Sequence, residues 1–532
     1  MTTDVAGSSR DERLPAELER LLGASFAPHE PGAVIGVYRD GVLVADSAVG
    51  LASLEYALPI TSDTVFDIAS SSKQFTAACA LLLERDGDLD LDADVRTWVP
   101  ELPIGAITLR SCLQHTAGLR DYLDVSSLAG LTLGEVVDDT DFLVALARTS
   151  GLNFDPGRDI AYSNTGFVLA AVSIARSGGR PFSDVLRERV FEPLGMTSTR
   201  LHDEVGAVVP GMAFSYSPRP AGGFLREEMP EAQVGDGAVL TTVRDLAGWH
   251  GFLLDGRVLG EDLRARLVSP SVVGDGRTTG YGMGVFVFPV DGVPVIQHTG
   301  VMYGYRSHLL AAPSLGVGIT VLSNRGDANA YRLARRAFGV VRGAPQRPSS
   351  AATGGTLAAT SRLDGSWFEP ESGHLLSLSP GAEGGVLVGR GGSAERFRSV
   401  SQTHAQNEDG DLDLTLEDGI VMLRGQMGTV HRYLPTSREV ATSQEALVGS
   451  YRISDIPGDV VVSRLDSALR LAIGRQHPVP LDYLASYEDL DIYGTETVTV
   501  SCRRGGEPVD SVSLAVPGTW FPRVSRVTPS VH

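Results

Sequence analysis

Residues 33–50 alternate apolar and polar positions around Asp40-Gly41, the pattern of two strands joined by a tight turn. Further on the period changes. Over residues 71–85, Phe75, Ala78 and Leu82 recur at helical spacing and Asp86-Gly87 supplies a stop, so Ser70 is expected at or near the helix start. The turn-like Asp155-Pro156-Gly157 precedes a loop with Tyr162-Ser163-Asn164, and a helical stretch follows from Phe167 to Arg176. Residues 282–324 read as successive strands, at 282–289, 293–300, 305–313 and 317–324. These patterns predict an α/β (α+β) domain over residues 1–342, with an antiparallel sheet flanked by helices.

Residues 343–361 are small, polar and almost uncharged, which suits a linker. Beyond them short strand patterns separated by Gly, Asp and Pro turns dominate. Leu363-Asp364-Gly365-Ser366-Trp367 recurs as Leu447-Val448-Gly449-Ser450-Tyr451, and each copy opens a segment of similar length. The expectation is two related small antiparallel β-barrels, 362–440 and 446–532.

A net charge of −20 disfavours nucleic acid and anionic membrane surfaces, which need clustered positive charge, and mildly favours cationic substrates. No run of 18 or more apolar residues and no leader-like start is present, so a cytoplasmic location is expected. Cys79, Cys112 and Cys502 are odd in number and widely spaced, which fits buried reduced thiols rather than a disulfide framework or a CxxC metal pattern. The acidic run Asp86-Gly87-Asp88-Leu89-Asp90-Leu91-Asp92 lacks the Gly and Glu placement of a calcium loop and reads as a solvated turn. No metal and no cofactor are expected.

The 45 positive side chains include a single lysine, Lys73, three residues after Ser70. A GC-rich genome accounts for heavy arginine usage, but not for where the one lysine sits. An ammonium can lose its proton when desolvated and a guanidinium effectively cannot. On a helix, Ser70 and Lys73 share a face, and the helix N-terminus favours negative charge developing at the serine. Tyr162 supplies a phenol able to shuttle a proton, and Asn164 an amide able to hold a carbonyl. His298-Thr299-Gly300 falls in a strand whose backbone N–H can face an oxyanion.

The order SxxK, YxN and HTG, at intervals of about 90 and 135 residues, resembles that of the penicillin-recognising serine hydrolases, which include class C β-lactamases, DD-peptidases and related esterases. His115-Thr116-Ala117-Gly118-Leu119 is similar to that superfamily's HTSGL segment, and residues 235–242 to its glycine-rich stretch. A histidine in the third motif together with two C-terminal barrels resembles the D-aminopeptidases. By that resemblance Ser70 is the acylated nucleophile, Lys73 its proton acceptor or electrostatic partner, Tyr162 the general base and acid, and His298 the residue supporting Tyr162 and substrate. Asn164 positions the acyl chain, Gly300 is a further substrate-binding residue, and the backbone N–H groups of Ser70 and Val301 form the oxyanion hole. Whether Lys73 or Tyr162 takes the serine proton is left open, and the two are coupled. His115 is expected to be structural.

Enzymes that grip a substrate carboxylate usually carry a permanent cation in the third motif, whereas His298 is mostly neutral at pH 7. Arg306 lies close enough in sequence to compensate in part. An aminopeptidase needs acceptors for an α-ammonium, and the D-aminopeptidases take one barrel loop into the cleft. The corresponding region here is expected at 485–496, with Asp489 or Asp491 binding the amine; acids on a solvated barrel turn are the alternative. The expected activity is D-stereospecific aminopeptidase or amidase action through an acyl-enzyme on short peptides, amides or esters. The alternatives are a carboxylesterase or β-lactamase-like hydrolase, or a non-catalytic penicillin-binding-like module. A homodimer is expected by resemblance alone.

Overall fold

Asp40 and Gly41 take φ of 48° and 77°, closing the hairpin between β1 (Ala33–Arg39) and β2 (Val42–Val49). The structure, a computed structural model, describes residues 13–129, 142, 143, 146, 151–228, 234–343, 364–381, 385–390, 393–437, 444–453, 458–466, 468–495, 497–503, 509–516 and 519–527. Of the expected linker only residue 343 is among these, and the proposed domain ends at 440 and 532 lie outside them.

Three more strands, β3 (Ile296–Met302), β4 (Tyr305–Ala312) and β5 (Val317–Ser323), complete an antiparallel sheet in the order β3-β4-β5-β1-β2. Helices α1 (Leu14–Gly23) and α5 (Ala330–Arg342) pack on the sheet, and α2 (Lys73–Asp86), α3 (Tyr122–Leu128) and α4 (Asn164–Gly178) belong to the helical layer that carries the site. Strand β1 is buried along almost its whole length because both faces are covered. Ala33, Ile35 and Val37 enter one core with Leu14, Leu18 and Phe338, while Val34 and Tyr38 enter a second with Phe75, Phe167 and Trp249. Each such apolar side chain contributes roughly 1.5–3 kcal/mol on burial, so the sheet is held from two sides.

Two sequence expectations are corrected. Residues 282–288 form no regular strand and make only isolated bridges, because Gly284, at φ 71°, turns the chain onto the backbone of Lys73. A Cβ at Gly284 would lie 2.6 Å from the Lys73 carbonyl oxygen. The helix expected from Phe167 begins instead at Asn164, which places that side chain in the first turn of α4.

Two closed eight-stranded antiparallel barrels follow, running from Gly365–Phe368 to Val430–Pro435 and from Gly449–Arg452 to Thr519–Arg526. In each, the strand opened by the repeated sequence pairs with the last strand. Trp367 and Tyr451 occupy the same position of that strand and are both buried. Cys79, Cys112 and Cys502 are buried free thiols. Among the described residues, no helix is long and apolar enough to cross a membrane.

Candidate active site

The three serines at 70–72 divide one task. Asp67 Oδ1 accepts from the Ala69 N–H at 2.5 Å and holds Ala69 at φ 47°, a backbone conformation uncommon outside glycine. The tight turn Ala69–Ser72 then runs into α2. Ser71 and Ser72 are buried as anchors. The Ser307 hydroxyl donates to the Ile68 carbonyl at 2.6 Å and lies 2.9 Å from Ser71 Oγ, while Ser72 Oγ accepts from the Val239 N–H at 3.1 Å. Ser70, just before them, is left half-exposed.

Lys73 is fully buried at the start of α2. Its Nζ lies 2.7 Å from Asn164 Oδ1, 2.6 Å from the Asp236 carbonyl oxygen and 3.2 Å from Ser70 Oγ. The first two are pure acceptors and use two N–H groups, so the remaining tetrahedral position of the nitrogen faces the serine hydroxyl. Two buried carboxyl groups surround this amine. Asp121 Oδ2 accepts from the Asn164 backbone N–H at 2.6 Å and from Nδ2 at 2.9 Å, and Asp236 Oδ2 accepts from the Tyr122 hydroxyl at 3.1 Å. Burial raises the pKa of both acids, and the nearby Lys73 charge opposes the rise.

Tyr162 lies against this pair, its ring centroid 5.0 Å from Lys73 Nζ. His115 packs behind it, with ring centroids 4.3 Å apart, and also touches Phe167 and Tyr281. Its Nδ1 accepts from the Ser163 N–H at 3.1 Å, and burial pushes its pKa well down, so His115 is a neutral wall that sets where Tyr162 stands.

His298 Nδ1 lies 2.8 Å from the Thr299 carbonyl oxygen, which can only accept, so Nδ1 carries the proton and Nε2 is the acceptor. The group facing Nε2 is the Tyr281 hydroxyl at 3.3 Å, rather than that of Tyr162, whose ring centroid is 6.2 Å away. Burial pushes the His298 pKa down to about 3. The third-motif side chain is therefore neutral near pH 7. Tyr281 carried no sequence signal; it stands in a Gly-rich stretch with no recognisable period.

Gly300 brings β3 against the serine turn. A Cβ at this position would overlap the Ile68 carbonyl oxygen and Ser307 Oγ. Gly300→Ala is expected to cost about 1–3 kcal/mol of stability through overpacking, and to lower turnover about 10- to 100-fold by displacing the serine turn. Thermal unfolding and steady-state kinetics check both. Val301, next along β3, is 57% exposed and pairs with Arg306 on β4. Arg306 Nη1 donates to the Tyr303 and Tyr305 carbonyls at 2.6 and 2.7 Å, which ties it to its own turn.

Asp489 and Asp491 do not join this cluster. Turns of an up-and-down barrel alternate between its two ends, and the 487–490 turn opens at the end away from the catalytic domain. Asp489 is exposed with Arg503 3.8 Å away, Asp491 is buried within a strand, and Tyr487 packs on Phe368 of the first barrel. The opposite end of the second barrel docks instead. Thr519 Oγ1 accepts from the Asp121 N–H at 3.2 Å, the Trp520 N–H donates to Asn153 Oδ1 at 3.2 Å, and the Arg120 guanidinium lies 4.3 Å from the Phe521 ring centre. Sequence could not separate the two ends, because that depends on strand parity and on which hairpin meets α3. Among the described residues, no group of three or more His, Cys, Asp or Glu side chains could hold a metal ion.

A half-open serine beside a buried amine, held between an antiparallel sheet and its helices, defines the class: this is a serine hydrolase. The Beta-lactamase family model matches residues 18–342, and the chain belongs to that family. It is similar to the D-aminopeptidase of Cereibacter sphaeroides, 27% identical over 511 residues that cover 93% of this chain and 95% of that one. The D-aminopeptidase of Brucella anthropi is 28% identical, with 81% of each chain covered. Among solved structures, the D-amino acid amidase of Ochrobactrum anthropi complexed with L-phenylalanine amide matches with a TM-score of 0.52 and 25% identity, covering 62% of this chain and 99% of that chain.

Proposed function

We propose that the protein is a D-stereospecific aminopeptidase or amidase that releases N-terminal D-amino acids from short peptides, amides or esters. Ser70 Oγ attacks the substrate carbonyl carbon while its proton passes to the Lys73–Tyr162 pair. The backbone N–H groups of Ser70 and Val301 receive the developing oxyanion. Collapse of the tetrahedral species returns the proton to the leaving amine, and water then releases the acyl group by the same steps in reverse. Asn164 links Lys73 to the acyl chain.

The observation that carries the substrate class is the neutral third motif. With a pKa near 3, His298 offers no cation at pH 7, and Arg306 spends Nη1 on carbonyls of its own turn. A substrate bearing a free carboxylate finds little to hold it there. The D-aminopeptidase and D-amino acid amidase relatives support the same reading.

One panel tests it: the p-nitroanilides of D-alanine and L-alanine, p-nitrophenyl acetate and nitrocefin. The D-anilide should be cleaved with kcat/KM at least about 100-fold above that of its L-isomer, and nitrocefin should be left intact. Acetate ester cleavage without any preference between the alanine isomers would favour an esterase. Rapid nitrocefin hydrolysis would contradict the proposal.

A further inference from the structure

We propose that Asp121 is a positioning residue for Lys73, acting through the Asn164 amide, and that Thr519 of the second barrel holds Asp121 in place for that purpose. The inference rests on the roles read above for Ser70 and Lys73.

A primary amide has a donor end and an acceptor end of nearly equal shape, and packing alone distinguishes them poorly. Only the oxygen can accept from the Lys73 amine, so a flipped Asn164 would point its NH2 group at Nζ. Asp121 prevents the flip. The Asp121 carboxyl acts here as an acceptor, and its Oδ2 takes both the backbone N–H of Asn164 at 2.6 Å and Nδ2 at 2.9 Å. This fixes Nδ2 toward Asp121 and Oδ1 toward Lys73, at 2.7 Å. The other oxygen, Oδ1, caps α3 by accepting from the Leu123 N–H at 2.8 Å. The carboxylate also opposes the Lys73 charge across the amide, an interaction that resists the effect of burial on Asp121.

The second barrel grips the element that carries this residue at both ends. At the start of α3, the fully buried Thr519 accepts the Asp121 backbone N–H through its hydroxyl. At the C-terminal end of α3, the Ser127 carbonyl in the last turn and the Ala129 carbonyl at the cap accept from Gln476 Nε2 at 2.6 Å and the Arg475 N–H at 3.0 Å. Val125, Leu128 and Ala129 pack into the core of the barrel. A chain of contacts thus runs from Thr519 through Asp121 and Asn164 to Lys73 and Ser70, linking residues 449 positions apart at its ends. On this account the barrel sets the geometry of acylation.

The test uses the full chain and the variants Asp121→Asn, Thr519→Val and Thr519→Ser, with D-alanine p-nitroanilide turnover and the rate at which a phosphofluoridate labels Ser70. Asp121→Asn is expected to lower kcat and the labelling rate together by about 100-fold with KM near that of wild type. Thr519→Val, which keeps the side-chain volume and removes the hydroxyl, should lower both about tenfold. Thr519→Ser should restore them. Should Asp121→Asn fail to fold, the Thr519 pair decides. Wild-type kcat and labelling in Thr519→Val, a loss confined to KM, or a Thr519→Ser variant as slow as Thr519→Val would overturn the proposal. A wild-type enzyme whose Ser70 is never labelled overturns the acyl-enzyme reading itself, which is a distinguishable failure.

Discussion

Lys73→Arg lowers kcat by about 1,000-fold or more, in the upper range for loss of a proton-transfer group, while the chain still folds and keeps its positive charge between Asp121 and Asp236. The Nζ of Lys73 sits inside a cage of three oxygens, from Ser70, Asn164 and Asp236, and one tetrahedral direction faces the serine. A guanidinium is planar and larger, does not release a proton, and cannot direct a lone pair at Ser70 Oγ. Its extra volume in a fully buried position costs about 1–3 kcal/mol, which calorimetry separates from the kinetic loss. A variant that retains turnover would remove proton transfer from Lys73 and leave it a purely electrostatic part.

Ser70→Ala removes turnover altogether, by at least about 10,000-fold in kcat, and leaves stability nearly unchanged. The hydroxyl projects from a half-exposed position, whereas Ser71 and Ser72 make the bonds that tie the turn to β4 and to Val239. Substrate binding should survive, because none of the cage around Lys73 except Oγ is altered. The expected signature is lost kcat with retained binding of D-phenylalanine or a similar product, measured calorimetrically. Residual steady-state activity would assign the nucleophile elsewhere.

Much of this was legible in the sequence, for identifiable physical reasons. The Asp40-Gly41 hairpin was readable because a type of turn needing positive φ demands those residues, and the two barrels because a repeated opening strand marks each one. Ser70, Lys73, Tyr162, Asn164 and His298 converge because motif spacing reports on a fold whose elements bring them together. The misses share a cause. Strand pattern at 282–289 gave way to the close approach of Gly284 to the Lys73 backbone, a tertiary contact invisible to periodicity. Asp489 lies exposed on its barrel turn, the alternative that the sequence left open, because acidity in a loop says nothing about which end of a barrel it occupies. Asp236 lies within the glycine-rich segment and Asp121 two residues beyond the HTSGL-like one, and neither carboxyl carries a sequence signal of its own; burial beside a lone lysine is what gives them their role. Tyr281, which takes the position facing His298, has no local pattern at all.

The central claim is that Ser70 carries the acyl group between two half-reactions. Ester substrates make deacylation slow relative to acylation, so the intermediate accumulates. The direct measurement is mass spectrometry of the enzyme acid-quenched during turnover of D-alanine p-nitrophenyl ester, followed by peptide mapping. A D-alanyl adduct on the peptide containing Ser70, absent from Ser70→Ala and slow to form in Lys73→Arg, is the predicted result. Steady turnover with no adduct on that peptide, or with activity retained in Ser70→Ala, would contradict the account.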